Sequence, residues 1–210
     1  MNVQPVIHLE GMKEEYEASV SRLLLEGFRR KFQCGTGLND EQLQLLLERL
    51  LVMDEQRGKG QRIVAIQEDS IVGSLSLQFQ VRSRPSIKAR DLLPVWKGIR
   101  GVGWWAALGF AGRLVCLSHR PALGEMYIAD VSVHERFRGA GVGTTMLGWA
   151  LREAALRPEI RYTTLHVSGS NLGAKRLYER LGFRTLESQR SAFMAWLTGE
   201  QEWNYMIHEG

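Results

Sequence analysis

Cysteine is scarce in this chain: Cys34 and Cys116 are the only two among 210 residues. No signal-like leader stands at the start, so the two read as reduced thiols of a cytosolic protein, with a disulfide between them as the alternative. A chain of this length buries most of the surface its unfolded form exposes and needs neither a disulfide nor a metal to hold it together. Metal-ligand spacing is absent, and no Ser-His-Asp or Cys-His set is motivated. A strong charge of one sign is lacking too, with 27 Lys and Arg against 23 Asp and Glu, a formal +4. Such a mild balance suits a polyanionic small ligand and falls short of a nucleic-acid footprint, because the arginines are scattered and no aromatic-basic module accompanies them. The longest apolar stretch, Val95 to Leu117, is interrupted by Lys97, Arg100, Arg113 and five glycines, which argues against a bilayer span. Within it Trp104, Leu108, Ala111 and Val115 share one helical face, as a buried helix would have; a wall of an acceptor site, or a dimer or membrane-surface contact, is the functional alternative.

What is present reads as an orderly series of elements. Pro5 to Leu9 predicts a short strand, and Glu14 to Phe32 a helix with Tyr16, Val20, Leu23, Leu24 and Phe28 at helical spacing. Asn39 and Asp40 are placed to cap a second helix, whose stripe runs through Leu43, Leu46, Leu47, Leu50 and Leu51. Ile63 to Ile66 and Ile71 to Val81, joined by Gln67 to Ser70, predict a hairpin. Further strands are expected at Met126 to Val133, Tyr162 to Val167, Phe183 to Glu187 and Trp203 to Ile207, the last two paired antiparallel around a long excursion, Ser188 to Glu202. No internal repeat, low-complexity tract or domain boundary interrupts the series.

The most informative local pattern is Arg138-Gly139-Ala140-Gly141-Val142-Gly143-Thr144, which follows an apolar strand and opens a helical pattern. Glycines let a backbone approach a ligand closely, and the first amides of a helix point free N–H groups and a positive dipole end at it, so this turn is a phosphate cradle with Arg138 at its lip. A Walker loop requires Lys-Ser or Lys-Thr after its last glycine, which Val142-Gly143-Thr144 does not supply; a dinucleotide fingerprint requires G-x-G-x-x-G, which glycines on alternate positions do not match. A tight turn without a ligand is the bland alternative.

A second pattern follows about thirty residues on, Asn171-Leu172-Gly173-Ala174-Lys175-Arg176-Leu177-Tyr178-Glu179-Arg180-Leu181-Gly182-Phe183. The R-x-x-G-x-G turn followed by N-x-x-A-x-x-L-Y-x-x-x-G-F resembles motifs A and B of the Gcn5-related N-acetyltransferase (GNAT) superfamily, in the right order and at the right separation. The likeness covers about Glu125 to Glu187, under a third of the chain, and the flanking elements follow the same order.

The resemblance implies a single mixed α/β domain over residues 1–210. Its sheet has about seven mostly antiparallel strands flanked by helices, with the fourth and fifth splayed apart and a helical insertion over 82–124. It implies direct transfer of an acetyl group from acetyl-CoA to a primary amine in a ternary complex, without metal. The pantetheine arm would pair with backbone at Val131, Ser132 and Val133, and the pyrophosphate would rest on Arg138, Gly139, Ala140, Gly141, Val142, Gly143 and Thr144. Asn171 and Ala174 would border the arm, with Lys175 and Arg176 near the phosphates. Tyr178 falls where the family places a tyrosine close to the CoA sulfur and becomes the candidate general acid. Glu125 is the preferred base and Asp130 the alternative; alternation groups Glu125 with Tyr127, although a bulge in this strand would reset the faces. His134 and His166 are further candidates. The acceptor stays open among peptide N-termini, lysines, polyamines, aminoglycosides and amino acids, a homodimer stays open, and an inactive CoA-binding sensor or scaffold is the competing class.

Overall fold

A computed structural model describes residues 6–33, 37–56, 60–80 and 119–210. The Trp-rich segment 95–117, both cysteines, the 57–59 loop and all of the expected 82–124 insertion except its last six residues lie outside them. Those last six, His119 to Gly124, are not helical and end in a turn.

Among the described residues seven strands form one sheet in the order β1-β2-β3-β4-β5-β7-β6. They are β1 (His8–Gly11), β2 (Gly60–Gln67), β3 (Ser70–Phe79), β4 (Glu125–Val133), β5 (Tyr162–Ser168), β6 (Arg184–Arg190) and β7 (Glu202–Glu209). The helices are α1 (Glu17–Gln33), α2 (Asp40–Gln56), α3 (Val142–Ala155), α4 (Leu172–Arg180) and α5 (Ala192–Thr198). Local chemistry accounts for several boundaries. Asn39 Oδ1 accepts from the Gln42 amide at 2.9 Å while Gln42 Oε1 accepts from the Asn39 amide at 3.1 Å, a reciprocal cap that starts α2. Glu68 and Asp69 both take positive φ, the two-residue turn that closes the β2–β3 hairpin with the twist its strands need.

Two apolar layers hold the sheet. On one face Met126, Ile128, Leu165, Val167 and Met206 pack with Val142, Met146, Leu147 and Tyr178 from α3 and α4. On the other, the α2 stripe Leu43, Leu46 and Leu47 joins Val20 and Leu24 of α1 over Val64. Each fully buried side chain contributes about 1.5–3 kcal/mol relative to exposure, so these layers fix the sheet between the helices.

Two features of β4 create the site. First, β4 pairs with β5 in parallel only from Glu125 opposite Tyr162 to Ile128 opposite Leu165. Beyond Leu165, β5 keeps β7 on its other side and β4 keeps β3, so the two strands part. Second, Ser76 faces Asp130 while Leu77 faces Ile128, which leaves Ala129 as an extra residue in β4. This bulge resets the alternation: Val131 packs with Met126 and Ile128 toward α3, whereas Ser132 donates to the Leu23 carbonyl of α1 at 3.3 Å. Asp130 therefore shares the α1 face with Glu125 and Tyr127, which an unbroken strand would forbid. The excursion expected from Ser188 is shorter than its sequence suggested, because β6 continues to Arg190 and α5 follows at once.

Candidate active site

A cavity of about 770 Å³ opens where β4 and β5 separate. Its floor is the free stretch of each strand, Ala129 to Val131 and His166 to Ser168; its walls come from α1, α4 and the α5 region. Helix α1 leaves helical geometry at Phe28, and Glu26 to Arg29 around that break face the cavity. Ser191, Met194, Thr198 and Glu200 close the opposite side. Glu200 accepts from Ser168 Oγ at 2.7 Å and from Ser170 Oγ at 2.8 Å, an anionic corner held by two hydroxyls.

The glycine turn lies just past the end of β4. Gly139 and Gly141 take φ of +83° and +88°, and a side chain at either would meet nothing within 4 Å, so the backbone conformation, not crowding, calls for glycine there. The Ala140 amide is used inside the turn, donating to the Phe137 carbonyl at 3.2 Å. The amides of Gly139, Gly141, Val142, Gly143 and Thr144 find no acceptor among the described residues, as the open first turn of α3 requires. The Val142 side chain belongs to the core, so that residue can offer a ligand only its amide. Arg138 turns back along the strand, its Nε donating to the Val133 carbonyl at 3.2 Å.

Of the residues expected at the site, Val131, Asn171, Ala174 and Tyr178 line the cavity. Ser132, Val133 and the stretch Arg138 to Thr144 lie beyond it, and Glu125 stands behind its wall. Asn171 caps α4, its Oδ1 accepting from the Ala174 amide at 3.1 Å. Lys175 reaches toward Asn204 Oδ1 at 3.5 Å, and Arg176 Nε donates to the Leu172 carbonyl at 3.3 Å. Burial pushes the Tyr178 phenol up to about 12, with the charge of Asp130 adding to it, so it holds its proton near neutral pH. Asp130 itself is engaged: Arg62 Nη1 and Nη2 grip its two oxygens at 2.8 Å each, and Arg62 also donates to Ser74. The alternative base of the sequence reading thus lines the cavity while held in a bidentate ion pair, on the face to which the bulge turns it. His134 is spent locally, its Nδ1 accepting from the Arg136 amide at 3.3 Å.

Glu125 is 2 % exposed and is the hub of a polar cluster. Oε1 accepts from His119 Nε2 at 2.8 Å, from the Tyr205 hydroxyl at 3.0 Å and from Thr164 Oγ1; Oε2 accepts from the Ala122 amide at 2.6 Å. Burial by itself would raise this carboxyl, but the donors His119, Thr164 and Ala122 hold it down at about 2. Around it the His119 ring lies over Tyr127 with centroids 4.1 Å apart, and His166 lies 4.8 Å from Tyr205. Tyr127 hydroxyl and His166 Nδ1 are hydrogen-bonded at 3.1 Å. The same negative charge helps push the Tyr205 phenol, already raised by burial, up to about 12, so both ends of this bond network are fixed: the glutamate is anionic and the phenol protonated. His119 and Tyr205 escaped the sequence reading. His119 precedes the strand and belongs to no periodic element, and Tyr205 arrives from the far end of the chain through the β5–β7 pairing, which sets it opposite His166.

A sheet that opens between two parallel strands, with a glycine turn of unpaired amides following the first of them, is the arrangement the two sequence motifs lead one to expect. The chain belongs to the acetyltransferase (GNAT) family, whose model matches residues 24–183. Over 80 residues it is 40% identical to the mycothiol acetyltransferase of Mycobacterium leprae (strain Br4923), a match covering 37% of this chain and 25% of that protein. The chain thus spans about a quarter of the length of that curated relative. Among solved structures, one described as an acetyltransferase aligns with a TM-score of 0.62 at 21% identity over 96% of this chain and 98% of its own. The ribosomal-protein-alanine N-acetyltransferase of Brucella melitensis aligns with a TM-score of 0.59 at 16% identity, covering 97% and 99%. At these identities the two structures share the fold with this chain. Among the described residues no helix is long and apolar enough to cross a membrane, and no group of three or more His, Cys, Asp or Glu could hold a metal ion.

Proposed function

We propose that this protein is an acetyl-CoA-dependent N-acetyltransferase that joins the acetyl group directly to a primary amine in a ternary complex. The observation that carries the reading is the continuity of three parts: the unpaired edge of β4 from Ala129, the cavity it borders, and five free amides at the turn where that strand ends. Acetyl-CoA, when bound, supplies an activated thioester carbonyl. The residues fit it: an extended arm can add to the bare strand edge through main-chain bonds, and a pyrophosphate suits amides at a helix N-terminus. The free backbone of β4 near Val131 offers donors for the carbonyl oxygen, and Tyr178, neutral at the cavity wall, donates its proton toward the departing sulfur. Glu125 serves the acceptor's deprotonation from behind the wall.

The acceptor side favours a cation. Glu26 and Glu200 put carboxylates on the cavity surface, where an ammonium is attracted before it loses its proton. A ribosomal-protein α-amine, as in the name of the Brucella relative, and a small-molecule amine both meet that requirement. An inactive CoA-binding module is the competing reading, favoured by the seclusion of Glu125 from the cavity. Free-thiol release measured with acetyl-CoA against a panel of peptide, polyamine, aminoglycoside and amino-acid acceptors separates them. Release that requires both substrates is expected; CoA binding without turnover for every amine would establish the module instead.

A further inference from the structure

Glu125 raises a geometric difficulty for proton removal: it is sealed from the cavity, and its oxygens are already surrounded by four donors. One of those donors is not sealed. His119, whose side chain is 22 % exposed, lines the cavity while bonding Glu125 through Nε2. An ionised carboxylate has no hydrogen to give, so Nε2 carries the hydrogen of this bond and Nδ1 carries the lone pair. Nδ1 has no hydrogen-bond partner among the described residues.

We infer that His119 is the residue that takes the proton from the incoming amine, with Glu125 as its positioning residue. The inference rests on the acyl-transfer reading and assigns that reaction's base to a residue outside both motifs. In the step, an ammonium N–H bond breaks and its proton moves to Nδ1, making an imidazolium that Glu125 stabilises across Nε2–H. The freed nitrogen pair forms the C–N bond to the acetyl carbon and the C–S bond breaks. The second nitrogen proton ends, by way of Tyr178, on sulfur, and the first leaves from His119 to solvent. The groups facing the imidazole are Glu125 and Tyr127 from β4, His166 from β5 and Tyr205 from β7. Glu125 is the one anion among them, and a carboxylate bonded to one imidazole nitrogen fixes the tautomer in which the other accepts.

The test uses the full chain and the best acceptor of the amine panel, with kcat followed across about pH 5 to 8, alongside calorimetric CoA binding and thermal melts. His119→Gln is expected to lower kcat by about 10²- to 10³-fold while CoA affinity stays within about threefold, and to abolish the acid limb of the profile. His119→Ala should regain part of the lost rate with added imidazole. Glu125→Gln should lower kcat by about 10- to 100-fold while CoA affinity stays within about threefold, because the carboxylate that fixes the accepting tautomer of His119 is gone. Undiminished kcat in His119→Gln, or a loss that leaves the acid limb in place and is not rescued in His119→Ala, overturns the assignment alone. Wild-type protein that binds CoA and acetylates no amine overturns the acyl-transfer reading and this one together.

Discussion

At the scale of single residues, charge and burial decide more than identity. Glu125 and Asp130 lie five positions apart on one strand and are chemically similar, yet each is committed by its neighbours: Glu125 to four neutral or imidazole donors, Asp130 to the fork of Arg62. Glu125 is a stabilising anion for a definite range of pH. Its folded value of about 2 lies below the ordinary 4.5, so its contribution is complete above pH 4.5 and is lost as pH falls toward 2. The difference corresponds to about 3 kcal/mol. Melts near pH 7 should therefore place Glu125→Gln about 6–12 °C below the wild type, at roughly 2–4 °C per kcal/mol for a domain of this size. The gap should close as the buffer is taken from pH 4.5 toward 2. An equal gap throughout would mean that packing, not ionisation, is what the substitution disturbs.

At the scale of elements, the glycine turn and α4 were plain in the sequence because their signals are local. Eight residues, 134–141, join β4 to α3, and both positive-φ positions among them are glycine. The Asn171 cap likewise needs only the helix that follows it. Alternation along β4 did not read true, since one extra residue at Ala129 reverses every side chain after it and nothing in the composition of the strand marks it. The turn also gives a clean test. Gly141→Ala meets no steric obstacle but places a Cβ at φ +88°, a strain of about 1–2 kcal/mol. Relief of that strain tilts the free amides, so calorimetry should show CoA binding weakened by about 5- to 30-fold with the fold intact. Ala140→Gly, at a residue whose amide is consumed inside the turn, should leave CoA affinity within about twofold.

At the scale of the whole molecule, the parting of β4 from β5 is the decisive event, because it creates a cavity and a bare strand edge together in the middle of a sheet whose other neighbours stay paired. A ligand that rebuilds that edge binds the folded chain alone. CoA at about 100 times its dissociation constant should add about 2.7 kcal/mol of apparent stability, a rise of about 5–11 °C in Tm. ATP and NAD, which carry the phosphates without the arm, should leave the midpoint within about 1 °C under the same mass-action relation. A shift of equal size with ATP would turn the turn into a general nucleotide site.

The order of elements, the donor-rich turn and the capped helix bearing Tyr178 were determined by the sequence by itself, since each depends on residues within a turn or two of one another. The company of Glu125 was decided by the tertiary structure alone. His119 reaches it from a non-helical approach to β4, Thr164 from a parallel neighbour, and Tyr205 from a strand 80 positions away in the chain that lies on β5's far side. A buried carboxylate takes its chemistry from the donors that surround it, and here Thr164 and Tyr205 are brought in by the order of β4, β5 and β7 in the sheet, which leaves no local pattern to read.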